Sequence, residues 1–266
     1  MEDWLGLLRN PVVVGALQSL GLLLARLLPL VAFTPVFGGQ AIPARLRFGI
    51  TVVRAAGFLP VLYAPGIATW PLGHYVLLLV KEVLVGFTLA VAVLVLFATF
   101  TACGALLDLW RGASIALVLD PASQQQESVL GVFLTQTAIA LFLTLGFHRV
   151  LLLALGDSFA VIHPHQFVPA RLVGPESSAA MIGLVADSFS VAVRLSTPVL
   201  IVALLLDLGL GLINRMQRQI QVFFVGLEIK GTAGILLIFL TLALLLSWSR
   251  SEFVRTLRWL QQFVAG

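Results

Sequence analysis

The residues of this chain that are best suited to chemistry lie in one polar stretch between two apolar segments. Residues 108–121 read DLWRGASIALVLDP, so that Asp108, Arg111 and Asp120 fall close together. Removing a charged group from water costs several kcal/mol unless the group is paired or faces water. A loop that carries both charge signs between apolar segments is therefore predicted to line a wet cavity, a pore or a partner surface.

The same stretch carries local signals for helix ends. Gly112 is predicted to end a helix that runs through Ala105–Arg111, and Asp120-Pro121 suits an N-cap followed by proline at the first helical position. The residues between them are mostly small and apolar. They form either an ordinary connection between helices or a re-entrant, plugging loop, because non-helical backbone at membrane depth survives only where protein or water satisfies it.

Three other constellations are weak as enzyme sites. The His-Pro-His stretch 163–165 lacks the further ligands of a metal site and is more typical of a turn. The stretch 156–160 (GDSFA) is similar to a nucleophile elbow without its final glycine, so an intramembrane serine hydrolase using His148 or His163 is a minor alternative. Lys230 precedes its glycines, unlike the lysine of a nucleotide-binding loop. We therefore predict no enzymatic activity, no catalytic residue, no metal and no cofactor.

The composition is that of a polytopic, all-α membrane protein. The chain is 60% hydrophobic and 11% charged, and its mean hydropathy is +1.07. One cysteine excludes an internal disulfide, and the dispersed basic residues give no support for nucleic-acid binding. The acidic start predicts that the first apolar segment is retained rather than cleaved. The chain is predicted to be a single domain, 1–266, with apolar segments at Pro11–Phe37, Leu46–Tyr63, Tyr75–Leu107, Val129–Leu155, Ala179–Ile213 and Gly231–Trp248.

Charged residues within these apolar segments form a second candidate set. Each costs roughly 2.5–3.5 kcal/mol at the centre of a membrane helix, so such residues normally face protein or water. Snorkelling or an internal ion pair is the simple explanation for any one of them. Their number favours a chain that packs against other subunits, and the nearly equal division of loop arginines and lysines between the two sides agrees with that interpretation. The set is Arg26, Arg54, Lys81, Glu82, Asp187, Arg194 and Asp207.

Four motifs in order along the chain carry a family resemblance. They are the stretch 108–121 followed by Glu127–Gly131, the early stretches 33–37 and 42–49, the Lys81–Gly86 segment, and 209–215 leading to Val222-Phe223. Together they resemble the SctT branch of the FliR/SctT family, core export-apparatus membrane proteins of bacterial type III secretion systems. The D-x-x-R-G hinge is similar to the injectisome form and is usually missing from flagellar relatives. Departures from the family pattern occur at Arg218, Gln221 and Glu228.

The resemblance implies an export-gate subunit in the bacterial inner membrane. Its helical hairpins would join a superhelical assembly within the secretion-system basal body, in contact with membrane lipid, rather than form a free-standing bundle. SctR-like and SctS-like subunits and an SctU-like switch protein would be its partners, and unfolded secreted proteins would pass through the assembly.

The resemblance also implies roles for individual residues. The plug that closes the conduit matches Gly112, Ala113, Ser114, Ile115 and Ala116. Its anchors match Asp108, Arg111, Asp120 and Pro121.

The alternative function is an ion-coupled secondary transporter. It would use Glu82, Asp187 and Asp207 for proton coupling. Transporters of that class have repeat symmetry with broken helices in corresponding positions, and the sequence contains no detectable repeat.

Overall fold

The fold is all-α, as predicted. A computed structural model describes residues 10–37, 42–62, 71–113, 128–167, 174–216 and 222–265, and these ranges contain helices and no strand. The helices are α1 (Pro11–Phe33), α2 (Ala44–Leu62), α3 (Leu72–Trp110), α4 (Val129–Thr144), α5 (Phe147–Val161), α6 (Pro175–Met216) and α7 (Val222–Ala265).

Side-chain caps and glycines define several helix ends. The side chain of Asn10 accepts a hydrogen bond from the backbone N–H of Val12 at 3.0 Å, and Pro11 occupies the first helical position of α1. Ser128 caps α4 by accepting from the N–H of Gly131 at 2.8 Å. After α3, Gly112 has φ 80°, a left-handed conformation that L side chains rarely adopt. The predicted helix end at Gly112 is confirmed.

One predicted segment is divided. The apolar stretch Val129–Leu155 forms two helices, α4 and α5, which are bent by 73° relative to each other. Gly146 lies between them with φ 77°, so the α-helical backbone cannot continue through it. The sequence prediction of one apolar segment did not show this break, because the composition is apolar on both sides of it.

The long helices make this a polytopic membrane protein. Among the described residues, Pro11–Phe33, Leu72–Trp110 and Ser177–Met216 are long and apolar enough to cross a bilayer, and the bent pair α4 and α5 can supply a fourth crossing. The predicted second apolar segment forms α2, but this helix contains three arginines and is too charged to count as a membrane-crossing helix. With 39 residues, α3 is about 58 Å long, well beyond a hydrocarbon core of about 30 Å, so it must tilt or extend past the core.

The chain divides into two compact units. Unit 1 comprises Met1–Leu94, Gly146–Ile182 and Arg255–Gly266, and unit 2 comprises Val95–Leu145 and Gly183–Val254. In unit 1 the rings of Phe58 and Phe159 lie 5.4 Å apart. In unit 2 the ring of Phe142 packs edge-on against those of Phe97 and Phe253, at 5.6 and 5.5 Å. That the whole chain acts as one domain stays a prediction.

Candidate functional site

The polar hinge begins with a tightly closed helix end. The backbone N–H of Arg111 donates to the carbonyl of Leu107 at 3.1 Å, and the N–H of Ala113 donates to that of Asp108 at 3.0 Å. These bonds satisfy carbonyls that the last turn of a helix leaves without intrahelical donors. The positive φ of Gly112 makes the second bond possible. The chain therefore leaves α3 from a well-defined position.

A single carboxylate joins both ends of the segment 112–127. Asp108 Oδ1 accepts from Arg111 Nε at 2.8 Å and lies 2.7 Å from Arg111 Nη2. Asp108 Oδ2 accepts from the Ser128 hydroxyl at 2.6 Å and from the backbone N–H of Leu130 at 3.0 Å. Hydrogen bonds to ionised groups are short and strong, and a carboxylate is favourable at a helix N-terminus. We call these four residues, Asp108, Arg111, Ser128 and Leu130, the Asp108 clasp.

Small residues bring α3 and α4 close together beside the clasp. A Cβ atom on Gly104 would lie 2.3 Å from the backbone nitrogen of Gly131, so only glycine permits this approach. The hydroxyls of Thr101 and Thr135 share a hydrogen bond of 2.7 Å on the same helix pair. Small residues and hydroxyls are typical of membrane helices in direct contact. The two helices therefore hold the base of the intervening segment at a fixed separation.

The clasp also meets the last two helices of unit 2. A Cβ on Gly234 of α7 would lie 2.9 Å from the Cβ of Arg111. Arg111 and Lys230 line one small cavity with apolar residues of α6 and α7. Lys230 forms an ion pair with Asp207, whose side chain is 54% exposed. The arginine at the start of the loop is thus packed against a second helix pair as well as against Asp108.

Some of the predicted plug and anchor residues fall outside the described ranges. Asp108, Arg111, Gly112 and Ala113 are described, whereas the remaining predicted residues, Ser114, Ile115, Ala116, Asp120 and Pro121, are not. The sequence motifs indicate no anchoring role for Ser128 or Leu130. A serine directly before an apolar segment is the usual N-cap signal and could have identified Ser128. The Leu130 contact is made by a backbone amide, which leaves no trace in the residue type.

A second cluster surrounds Arg26, which is fully buried. Arg26 Nε and Nη2 donate to the two carboxylate oxygens of Glu82 at 2.5 and 3.0 Å. Nη1 donates to the carbonyl and hydroxyl of Ser158 at 2.8 and 3.2 Å, and Nη2 also donates to the carbonyl of Ile162 at 2.7 Å. The guanidinium group carries five N–H donors, so each has an acceptor. Its Cζ also lies 4.3 Å from the ring centroid of Phe159.

Lys81 extends this cluster along the end of α5. Its ammonium group forms an ion pair with Glu82 and donates to the carbonyls of His163 at 2.9 Å, Pro164 at 3.0 Å and Gln166 at 2.9 Å. The last carbonyls of a helix have no intrahelical donor and carry partial negative charge. Two cations and one carboxylate therefore neutralise the C-terminal end of α5 within unit 1.

This cluster changes the interpretation of the charges in the apolar segments. For Arg26, Lys81 and Glu82 the structure shows the simpler alternative, an ion-pair network inside the chain. That these three residues also pack against other subunits stays a prediction, and the internal bonds alone already satisfy their charged groups. The Cζ of Arg54 lies 4.3 Å from the ring centroid of Phe37. The other three predicted residues, Asp187, Arg194 and Asp207, are exposed on α6.

The serine of the elbow-like stretch belongs to the same cluster. Ser158 is fully buried, donates to the carbonyl of Leu155 at 2.6 Å and accepts from Arg26. Its hydroxyl is committed to these two partners and is not aligned with a histidine base. Glu82, which the transporter alternative needs as a proton carrier, is held by two cations. Neither site has the open geometry that hydrolysis or proton coupling requires.

Comparison with known proteins agrees with the motifs. Residues 17–256 match the family model of the bacterial export proteins, family 1. The flagellar biosynthetic protein FliR of Bacillus subtilis (strain 168) is 30% identical over 236 residues, 87% of this chain and 88% of the relative. FliR of Pectobacterium carotovorum subsp. carotovorum is 31% identical over 229 residues, 83% of this chain and 82% of the relative. Yop proteins translocation protein T of Yersinia pestis is 29% identical over 222 residues, 82% of this chain and 83% of the relative.

The matched range contains both the Asp108 clasp and the Arg26 cluster. Flagellar and Yop-translocation relatives are similar to the chain at almost equal identity, so the match applies to the family as a whole rather than to one branch. The chain belongs to the bacterial export proteins, family 1, which is the FliR/SctT family that its motifs resemble.

Proposed function

We propose that this chain is a core gate subunit of a bacterial type III export apparatus and that it helps to form and close the conduit for unfolded secreted proteins. The Asp108 clasp is the observation that carries the proposal. It fixes both ends of the segment 112–127 with one carboxylate, at the position where the family resemblance expects a plug. The names of the relatives, flagellar biosynthetic protein and Yop translocation protein, support an export role.

The clasp has the properties that a plug base requires. A loop that closes a conduit must keep its ends fixed while its tip meets other chains, and the paired charge and helix cap supply such a base. Arg111 and Asp108 are 16% and 8% exposed, so water can replace part of this pairing. The small residues Gly112 and Ala113 let neighbouring backbones approach closely. In this proposal Ser114, Ile115 and Ala116 complete the seal, and Asp120 and Pro121 anchor its far side.

Partner subunits complete the proposal. Helix α6 exposes apolar residues along its length together with Arg194, and a charge on an apolar membrane face is costly unless a protein partner covers it. SctR-like and SctS-like subunits would cover such faces in the bacterial inner membrane within a basal body. An SctU-like protein would act on the cytoplasmic side. This chain would supply the passage and its partners the energy.

The injectisome form is the finer part of the proposal. It is supported by the D-x-x-R-G hinge at Asp108–Gly112, the form that flagellar relatives usually lack. The test is complementation in a bacterium that has both flagella and an injectisome, with each native subunit gene deleted in turn. We expect restored effector secretion without restored motility. Restored motility without secretion would assign the chain to the flagellar branch.

The plug is tested by deleting Ala113–Ala116. The matched control replaces these four residues with glycine and serine, which preserves the length of the loop. Ion conductance is measured in assembled complexes with and without co-expressed partner subunits. We expect the deletion to assemble and to leak only when the partners are present, because the missing seal would lie in a shared channel. An assembled complex without an added leak would identify the segment as an ordinary connection between helices.

A further inference from the structure

In the segment directly after α5, one side chain from α3 binds three backbone carbonyls. The ammonium of Lys81 donates to the carbonyls of His163, Pro164 and Gln166, and Lys81 is only 6% exposed. An ammonium group has three N–H donors, so these three carbonyls and the Glu82 carboxylate together surround it with acceptors. We call Lys81 together with residues 162–167 the Lys81 latch. It explains how an irregular segment follows a helix in an apolar environment.

Two histidines lie in the same segment. The rings of His163 and His165 pack edge to face with centroids 5.6 Å apart. The Nδ1 atom of His165 is buried and has no hydrogen-bond partner among the described residues. A buried ring nitrogen without a partner costs free energy in either protonation state, and the cost is greatest where added charge meets another cation. The segment thus combines a titratable ring with the ammonium group that holds it.

The charges around His165 oppose its protonation. Burial of the ring has the largest effect and lowers the pKa of His165 below its usual value of 6.5. The nearby His163 and Lys81 lower this pKa further. On α3, Glu82 is engaged by Arg26 and Lys81, and the ring of His74 packs against that of Phe167 at 5.4 Å. Uptake of a proton therefore adds a cation beside Lys81 rather than beside an available carboxylate.

We propose that the Lys81 latch is an acid-sensitive device, in which protonation of His165 releases residues 162–167 from Lys81. Above its pKa His165 is neutral and the latch is closed. The pKa of His165 is lower in the folded segment than in the unfolded one. At pH values between these two pKa values the unfolded segment binds more protons. The stability of the latch therefore falls as the pH drops through that range. This device is separate from the plug, and it does not depend on the chain being a gate subunit.

The test is hydrogen exchange measured by mass spectrometry on the full chain, purified with co-expressed partner subunits. Exchange of the peptide that covers residues 162–167 is compared between the wild type and His165→Gln at about pH 7.5 and about pH 5, which bracket histidine titration. Comparison at equal pH cancels the chemical exchange rate. We expect similar exchange at the higher pH. At the lower pH the wild type should exchange on the order of tenfold faster than His165→Gln, because only the wild type has an imidazole at residue 165 to protonate.

Two further variants make the result decisive. His148→Gln is the matched control, because His148 also has a buried Nδ1 without a partner in the described part of the chain but lies at the start of α5. It should behave as the wild type. Lys81→Met should exchange fast at both pH values, since the latch is absent. If His165→Gln fails to fold, His165→Asn replaces it with the same expected direction, because it also removes the titratable ring. An equal ratio of wild type to variant at both pH values would overturn the proposal.

Discussion

The Arg26 cluster and the Asp108 clasp solve the same problem in different ways. Both place an arginine–carboxylate pair at a helix end, but Arg26 and Glu82 are fully buried, whereas Arg111 and Asp108 are 16% and 8% exposed. The Arg26 cluster joins residues 56, 132 and 136 positions apart, whereas the clasp joins residues 3, 20 and 22 positions apart. The first therefore holds distant elements of unit 1 together, and the second closes one local segment of unit 2.

The difference in burial sets how much stability each cluster loses when one of its partners is removed. Removing one partner from a buried, hydrogen-bonded ion pair typically costs about 3–5 kcal/mol, because the other charge stays buried without compensation. The Asp108 clasp keeps some access to water and includes a helix cap, which typically contributes about 0.5–2 kcal/mol. The larger free-energy cost suits a rigid scaffold, and the smaller one suits a part of the protein that opens. The predictions below test that distinction.

The largest effect is expected for Arg26→Met. It leaves Glu82 and the carbonyls of Ser158 and Ile162 without their arginine donors, so we expect a loss of about 3–5 kcal/mol of stability and little assembled protein. The measurement is thermal unfolding of the detergent-solubilised complex, with the amount of assembled chain. Arg45→Met, which removes an exposed arginine of α2, is the control. Equal melting temperatures for the two variants would contradict the scaffold role.

Alanine at the close helix contacts should have the next largest effect. A Cβ on Gly86 would lie 2.1 Å from the carbonyl oxygen of Arg26, and one on Gly104 would lie 2.3 Å from the nitrogen of Gly131. We expect each Gly→Ala change to cost about 1–3 kcal/mol or more, because backbone must move. Gly183, where a Cβ meets nothing within 4 Å, is the control. There alanine should stabilise the helix by up to about 1 kcal/mol. Comparable melting temperatures for all three variants would contradict the close packing.

Changes to Arg111 should separate function from stability. Arg111→Glu places a second carboxylate beside Asp108 and should reduce secretion strongly, while Arg111→Lys keeps the charge but loses the planar fork and should reduce it partly. Assembly should persist in both, because the clasp lies at one helix end and Arg111, unlike Arg26, keeps some access to water. Secretion assays with native gels check this. Normal secretion by Arg111→Glu would remove the clasp from the mechanism.

The smallest effect is expected at the pair of Lys230 and Asp207. Asp207 is 54% exposed, so Asp207→Asn should change stability by about 0.5 kcal/mol or less and should leave secretion unchanged. The same unfolding and secretion measurements apply. A loss as large as that of Arg111→Glu would show that the cavity shared by Arg111 and Lys230 belongs to the moving part.

Composition and local motifs were enough to predict the class of the protein. Long apolar segments require a membrane, and membrane helices satisfy their backbone internally, so the all-α polytopic fold follows from the sequence. The helix end at Gly112 also follows, because glycine is the residue that adopts a left-handed backbone without strain. The family follows from the ordered motifs. Each of these conclusions depends on residue type or near-neighbour spacing.

The tertiary structure decided what the charged residues do. The sequence places Arg26 and Glu82 in apolar segments but cannot say whether the partner of each is another subunit, water or the end of α5. The contact of Leu130 with Asp108 is equally hidden, because a backbone amide is present at almost every position. Gly146 is one of several glycines in apolar segments, and only the folded backbone distinguishes the one that turns the chain. The cost of burying a charge is a local property, whereas the group that offsets it can come from any part of the chain.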